Sequence, residues 1–210
     1  LVIDLDPQSS ATMFMNHTKS IGTIDYTAAH AMLNNVSLEQ LKSDFIVPSI
    51  INNVDILPSS IADGFLASEW DSLCAANLPD QNPALVLKEN LIDKLRGEYT
   101  HIFIDSGPHL DQFLNNSIAA CDVLMTPIPP SQVDLHSTLQ YWFRLPSIIA
   151  NLKDAGVASV TDNHIAFMSK FNKTVQDKVS QAIAKNIFGS QMLDAVIPDL
   201  SAFKRCGETF

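Results

Sequence analysis

The run His101-Ile102-Phe103-Ile104-Asp105-Ser106-Gly107-Pro108 decides the fold. A short apolar stretch closed by turn residues reads as a buried strand, here over residues 101–105. The chain opens on a second of the same kind, Leu1-Val2-Ile3-Asp4-Leu5, closed by Asp6-Pro7-Gln8. Residues 122–126 make a third, stopped by Pro127-Ile128-Pro129-Pro130, and residues 193–197 a later one, stopped by Pro198. A further strand falls within 157–168, and short ones at 45–47 and 54–57 end at Pro48 and Pro58.

Helical patterns fill the intervals. Over 85–96, Leu87, Leu91, Ile92 and Leu95 share one face, and Gly97 follows as a C-cap. Over 110–120, Leu110, Phe113, Leu114 and Ile118 do the same. Helices are also predicted at 8–16, 27–33, 60–76 and 173–188. Another at 37–42 opens with the capping box Ser37-x-x-Gln40. A long one at 133–155 is bent or split at Pro146. Strands alternating with helices predict an α/β fold, a mostly parallel sheet covered by helices on both faces. No internal repeat, low-complexity stretch or linker divides the 210 residues, so a single domain over 1–210 is expected.

Composition narrows the function. The net charge is −10, which argues against a wholly basic nucleic-acid platform. The charge is uneven: residues 1–163 carry 7 basic and 19 acidic side chains, residues 164–210 carry 6 and 4. A phosphate backbone is therefore met more readily by the C-terminal part. Cys74, Cys121 and Cys206 are scattered without a C-x-x-C, which points to a reduced compartment and no zinc site. The six histidines show no metal-ligand spacing, and no apolar run is long enough for a membrane span. Tyr141-Trp142-Phe143 reads as core packing rather than base stacking. The seven glycines never form G-x-G-x-x-G or G-x-x-x-x-G-K-[ST], so no glycine-rich phosphate cradle is written here.

In open parallel sheets, ligands bind beyond the carboxyl ends of the strands. Asp4, Asp6 and Asp105 stand there. A strand-tip aspartate can hold a magnesium ion beside a nucleotide phosphate, and a second can position an attacking water. Taken singly, each is equally an ordinary turn or cap residue.

The combination resembles one family. Residues 2–12, with Asp4-Leu5-Asp6-Pro7-Gln8 at their centre, look like the switch I segment of the ParA family, the deviant-Walker partition ATPases. Residues 100–110 resemble that family's Walker B and switch II segment; Thr126-Pro127-Ile128-Pro129-Pro130 resembles the next strand tip, and Ile197-Pro198 the late strand beside the base. The segments occur in family order over nearly the whole chain. They resemble the larger plasmid members down to Gly107-Pro108-His109-Leu110-Asp111 and Arg205-Cys206-Gly207-Glu208.

The resemblance implies ATP and Mg2+ between the two subunits of a homodimer. It implies that Asp6 orients the attacking water, Asp105 holds magnesium through water, Asp4 supports them, and Pro198 packs near adenine. It further implies sequence-neutral DNA contacts from Lys170 and Arg205, a ParB-type partner that stimulates hydrolysis, no membrane, and a cytoplasmic, nucleoid-associated protein. The chain departs from the family pattern in lacking the P-loop and its lysines, in having Ser106-Gly107-Pro108 after Asp105, and in lacking the terminal regions of the larger members. A segment of a longer protein is therefore expected, one that neither hydrolyses nor tightly binds ATP alone. It is also expected to be poorly stable, with sheet edges uncovered. A MinD-like positioning ATPase and a non-enzymatic autorepressor of a partition operon stay open as alternatives, as does a module in which the three aspartates do not converge.

Overall fold

The computed structural model describes residues 1–15, 26–158, 160–161 and 163–200. Its strands fall into two hydrogen-bonded sheets rather than one, in two compact units: Leu1–Ala120 with Ala155–Ser159, and Cys121–Asp154 with Val160–Phe210.

The first unit begins with β1 (Val2–Asp4) and α1 (Ser10–Met15). Next come α2 (Ala28–Asn34), capped by Thr27, which accepts from the His30 N–H, and α3 (Leu38–Gln40), where Ser37 accepts from the Gln40 N–H as its spacing predicts. A wide turn over Leu41–Phe45 leads to β2 (Val47–Pro48) and β3 (Asp55–Leu57). The helix expected over 60–76 is divided at Glu69 into α4 (Asp63–Ser68) and α5 (Trp70–Asn77). The amphipathic run expected at 85–96 contains a second wide turn, Lys88–Ile92, followed by α6 (Asp93–Leu95). β4 (Phe103–Asp105) and α7 (Gln112–Ala120) complete the unit.

The sheet order is β2-β3-β1-β4, with β1 parallel to both neighbours and the short β2 antiparallel at the edge. β1 is central, which is why Leu1, Ile3 and Leu5 are buried and join Leu57, Leu91 and Phe113 in the core. β4 has β1 as its only sheet neighbour among the described residues, and Phe103 is 58% exposed.

The second unit holds β5 (Leu124–Ile128), α8 (Gln132–Asp154), β6 (His164–Phe171), α9 (Val175–Phe188) and β7 (Met192–Pro198), with all three strands parallel in the order β5-β6-β7. α8 runs unbroken through Pro146 as one element. Alternation along β6 buries His164, Ala166 and Met168, and after a register shift Phe171 turns inward as well, all beside Phe188 and Met192. Trp142 lies over His164 at 4.4 Å between ring centroids and over Phe188 at 4.5 Å, as the core-packing reading expects of it, whereas its neighbour Phe143 is 68% exposed and departs from that reading. His164 Nε2 sits 2.7 Å from Thr126 Oγ1, while its buried Nδ1 has no hydrogen-bond partner among the described residues. Burial lowers the His164 pKa to about 4. Beside it, Leu124, Trp142, Pro146, Thr161 and Gln191 help line a cavity of about 250 Å3.

Candidate active site

Parallel pairing sets the first geometric fact. Val2 faces Phe103, Ile3 faces Ile104 and Asp4 faces Asp105, and the Leu5 N–H donates to the Asp105 carbonyl at 2.8 Å. The tips of β1 and β4 therefore end side by side, and the two acidic segments share one end of the sheet. The non-converging reading fails on this register.

The three aspartates differ in state. Asp4 is fully buried. Its Oδ2 accepts from the Thr12 N–H at 2.8 Å and the Thr12 hydroxyl at 2.6 Å; its Oδ1 accepts from the Asp6 N–H at 3.1 Å. A carboxylate held by so many donors is committed to shaping the loop between β1 and α1. Asp6 is only partly buried: its Oδ1 accepts from the Gln8 N–H at 2.9 Å, and its carbonyl accepts from Ser9 N–H at 2.8 Å. No described donor occupies its Oδ2. The Asp6 carboxylate lies against Gly107, where a Cβ would come within 3.0 Å of Oδ1. Gly107 thus admits the side chain of the facing loop.

Asp105 stands exposed at the β4 tip, and no described residue hydrogen-bonds its carboxylate. Desolvation, then the charges of Asp4 and Asp6, raise its pKa to about 6. Repulsion of this kind is what a cation relieves. No three His, Cys, Asp or Glu among the described residues converge to hold a metal unaided. The donor set suits an ion bound through one carboxylate with water and phosphate completing its shell, as magnesium prefers.

A fourth carboxylate escaped the sequence reading. Asp63, 2% exposed in the first turn of α4, accepts from the Ser60 N–H at 3.0 Å and the Thr27 hydroxyl at 3.0 Å. His30 Nδ1 lies 3.8 Å from it and 2.7 Å from Thr27 Oγ1. Burial raises the Asp63 pKa, with Asp4 adding to it, against the bonds from Ser60 and Thr27 and the field of His30. Two signals could have found it: Ser60-x-x-Asp63 is a capping-box pattern, and Thr27-x-x-His30 places an N-cap hydroxyl by a histidine.

The remaining predicted residues belong to the second unit. Lys170 is exposed near the end of β6, with φ at 52°, inside the register shift between Met168 and Phe171 in the β6–β7 pairing. Pro198 ends β7, opposite Phe171, and is exposed. Thr126 points its hydroxyl at His164. Arg205 lies outside the described residues. No described helix is long and apolar enough to cross a membrane.

Comparison with known proteins follows the same lines. The chain is 51% identical over all 210 residues to plasmid partition protein A of Escherichia coli, of which it covers 53%. It thus spans about half the length of the curated relatives it matches. A solved structure of a partition protein superposes with a TM-score of 0.88 at 44% identity, covering 99% of this chain and 59% of the other. The fold alone is shared with cobyrinic acid a,c-diamide synthase of Mycobacterium smegmatis, solved with ADP and magnesium: TM-score 0.73, 16% identity, 95% and 74% coverage. The AAA domain family matches residues 1–155, the stretch that carries Asp4, Asp6 and Asp105. Paired acidic strand tips, that family match and likeness to partition proteins along the full length make this chain a member of the AAA domain family, of the ParA deviant-Walker partition type.

Proposed function

We propose that this chain is the catalytic middle of a DNA partition ATPase, working within a longer polypeptide whose P-loop supplies most of the phosphate-binding energy. On this reading residues 1–210 form one partial ATPase domain. The observation that carries it is the register that sets Asp4 beside Asp105, with Asp6 resting on Gly107. Nucleotide hydrolysis needs a carboxylate near the attacking water and another near the metal. Asp6 takes the first role: Gln8 fixes one of its oxygens and leaves the other to orient water. Asp105 takes the second, holding Mg2+ through water. Magnesium, when bound, neutralises charge developing on the transferred phosphoryl group. Asp4 acts behind them by fixing the Asp6 amide, and Pro198 borders the base.

The partition role includes further parts. ATP closes a homodimer, Lys170 and Arg205 touch DNA phosphates without reading sequence, and a ParB-type partner accelerates hydrolysis. Support comes from the full-length similarity to plasmid partition protein A and from the basic balance after residue 163. The protein works in the cytoplasm on the nucleoid, where those contacts give salt-dependent binding.

The test is steady-state ATP hydrolysis by the full-length protein carrying this segment. Asp6→Ala is expected to abolish turnover while leaving nucleotide binding intact, and Asp105→Ala to shift the magnesium requirement upward. Undiminished turnover in Asp6→Ala overturns the assignment.

A further inference from the structure

We infer that Asp63, Thr27 and His30 form a positioning unit for Asp6; this rests on the reading of Asp6 as the residue that orients the attacking water. Thr27 Oγ1 carries a single hydrogen, and its 3.0 Å bond donates it to Asp63 Oδ1. His30 Nδ1, 2.7 Å from the same oxygen, must then be the donor to Thr27. The bonds run one way: from a half-exposed imidazole, through a buried hydroxyl, to a buried carboxylate.

The other Asp63 oxygen takes the Ser60 N–H at 3.0 Å. Asp63 therefore fixes the loop after β3 with one oxygen and the N-cap of α2 with the other, and the Ala28 N–H to Pro58 carbonyl bond, 2.8 Å, ties that loop to α2 as well. The loop in turn holds the switch. The Ser59 hydroxyl donates to the Asp6 carbonyl at 2.9 Å. The Ser59 N–H donates at 2.9 Å to Thr12 Oγ1, the hydroxyl that donates to Asp4. On the other side of Asp63, Gly64 packs on Pro7, where a Cβ would meet Pro7 Cβ at 3.7 Å. Neighbours on both sides of Asp63 thus brace residues 6 and 7.

A helix cap alone does not call for this arrangement. Serine or asparagine caps a six-residue helix without a charge, whereas Asp63 buries one within the field of Asp4. The donors that compensate it come from two separate elements, and one of them, the loop after β3, holds Asp6 directly. Small displacements of a water-orienting group cost large factors in rate.

Thr27→Val removes the hydroxyl at constant shape, and Thr27→Ser retains it. Both are measured in the full-length protein, with turnover expressed per mole of bound nucleotide so that folded, loaded molecules alone count. Thr27→Val is expected to lower kcat about tenfold with KM for ATP unchanged within twofold, and Thr27→Ser to stay within twofold of the parent in both. A parental kcat in Thr27→Val, or a loss expressed in KM alone, overturns the inference. Should Thr27→Val fail to fold, His30→Leu at its half-exposed position carries the test: about threefold lower kcat supports the unit, and no change overturns it. Asp6→Asn separates the two layers. If its turnover is undiminished, the Asp6 reading fails; if it is inactive while Thr27→Val is not slowed, only the positioning unit fails.

Discussion

Asp105→Asn is expected to stabilise the first unit in the absence of nucleotide, fully at neutral and alkaline pH and less in acid. In the folded chain the carboxyl stands at about 6 instead of 3.8, because desolvation and then Asp4 and Asp6 disfavour its charge. Were the site dry, that displacement would correspond to about 3 kcal/mol, at ~1.4 kcal/mol per pH unit. Asp105 is exposed at its strand tip, so water screens most of this, and roughly 1 kcal/mol remains. The sign follows from linkage: a group raised on folding favours the native state below its unfolded value and loses that advantage as pH climbs through its folded value. The gain from Asp105→Asn should therefore be full at pH 8 and 6.5 and about half as large at pH 5. Urea denaturation followed by Trp70 reads it, in a Trp142→Phe background, since Trp70 is buried in this unit's core 5.3 Å from Phe113. A shift of about 2–4 °C in Tm accompanies the same change. No gain at pH 8, or an equal gain at pH 5, refutes the account of repelling carboxylates.

Other outcomes follow from the same geometry. Asp4→Ala strands the Thr12 hydroxyl and the N–H groups of Thr12 and Asp6, and is expected to cost about 3 kcal/mol in urea denaturation. Gly107→Ala sets a methyl 3.0 Å from Asp6 Oδ1; it should slow ATP turnover in the full-length protein more than tenfold while changing stability by less than about 1 kcal/mol. The second unit should weaken in acid. The His164 pKa falls from 6.5 to about 4 on folding, so stability present above pH 6.5 is withdrawn as pH drops towards 4, on the order of 2 kcal/mol after allowance for water at the ring. Trp142 fluorescence in a Trp70→Phe background follows it, and His164→Leu should flatten the dependence.

Much of this was legible in the residues. Asp4, Asp6 and Asp105 announce themselves because an apolar strand of a parallel sheet that ends on an acid places it at the carboxyl end of the sheet, where ligands bind. The Ser37 cap and the Gly97 turn were equally plain, each being local chemistry. Asp63 was hidden because its partners, Thr27 and His30, are more than thirty residues away, and only tertiary packing joins them. The division of 60–76 at Glu69 was obscured by continuous helix-forming composition, and the His164 environment by the fact that aromatic stacking leaves no period in the sequence.

The outer edge of β4 carries a consequence for handling the isolated chain. Its amide and carbonyl groups face away from β1 with no described strand beside them, and Phe103 is largely open to solvent. Such an edge is a template that accepts any extended segment offered to it. Dilution and low temperature should keep the chain in solution, whereas concentrating it favours strand-to-strand association. The same opening makes it an acceptor for complementation, in which a short strand supplied as a separate peptide restores order that concentration would otherwise destroy.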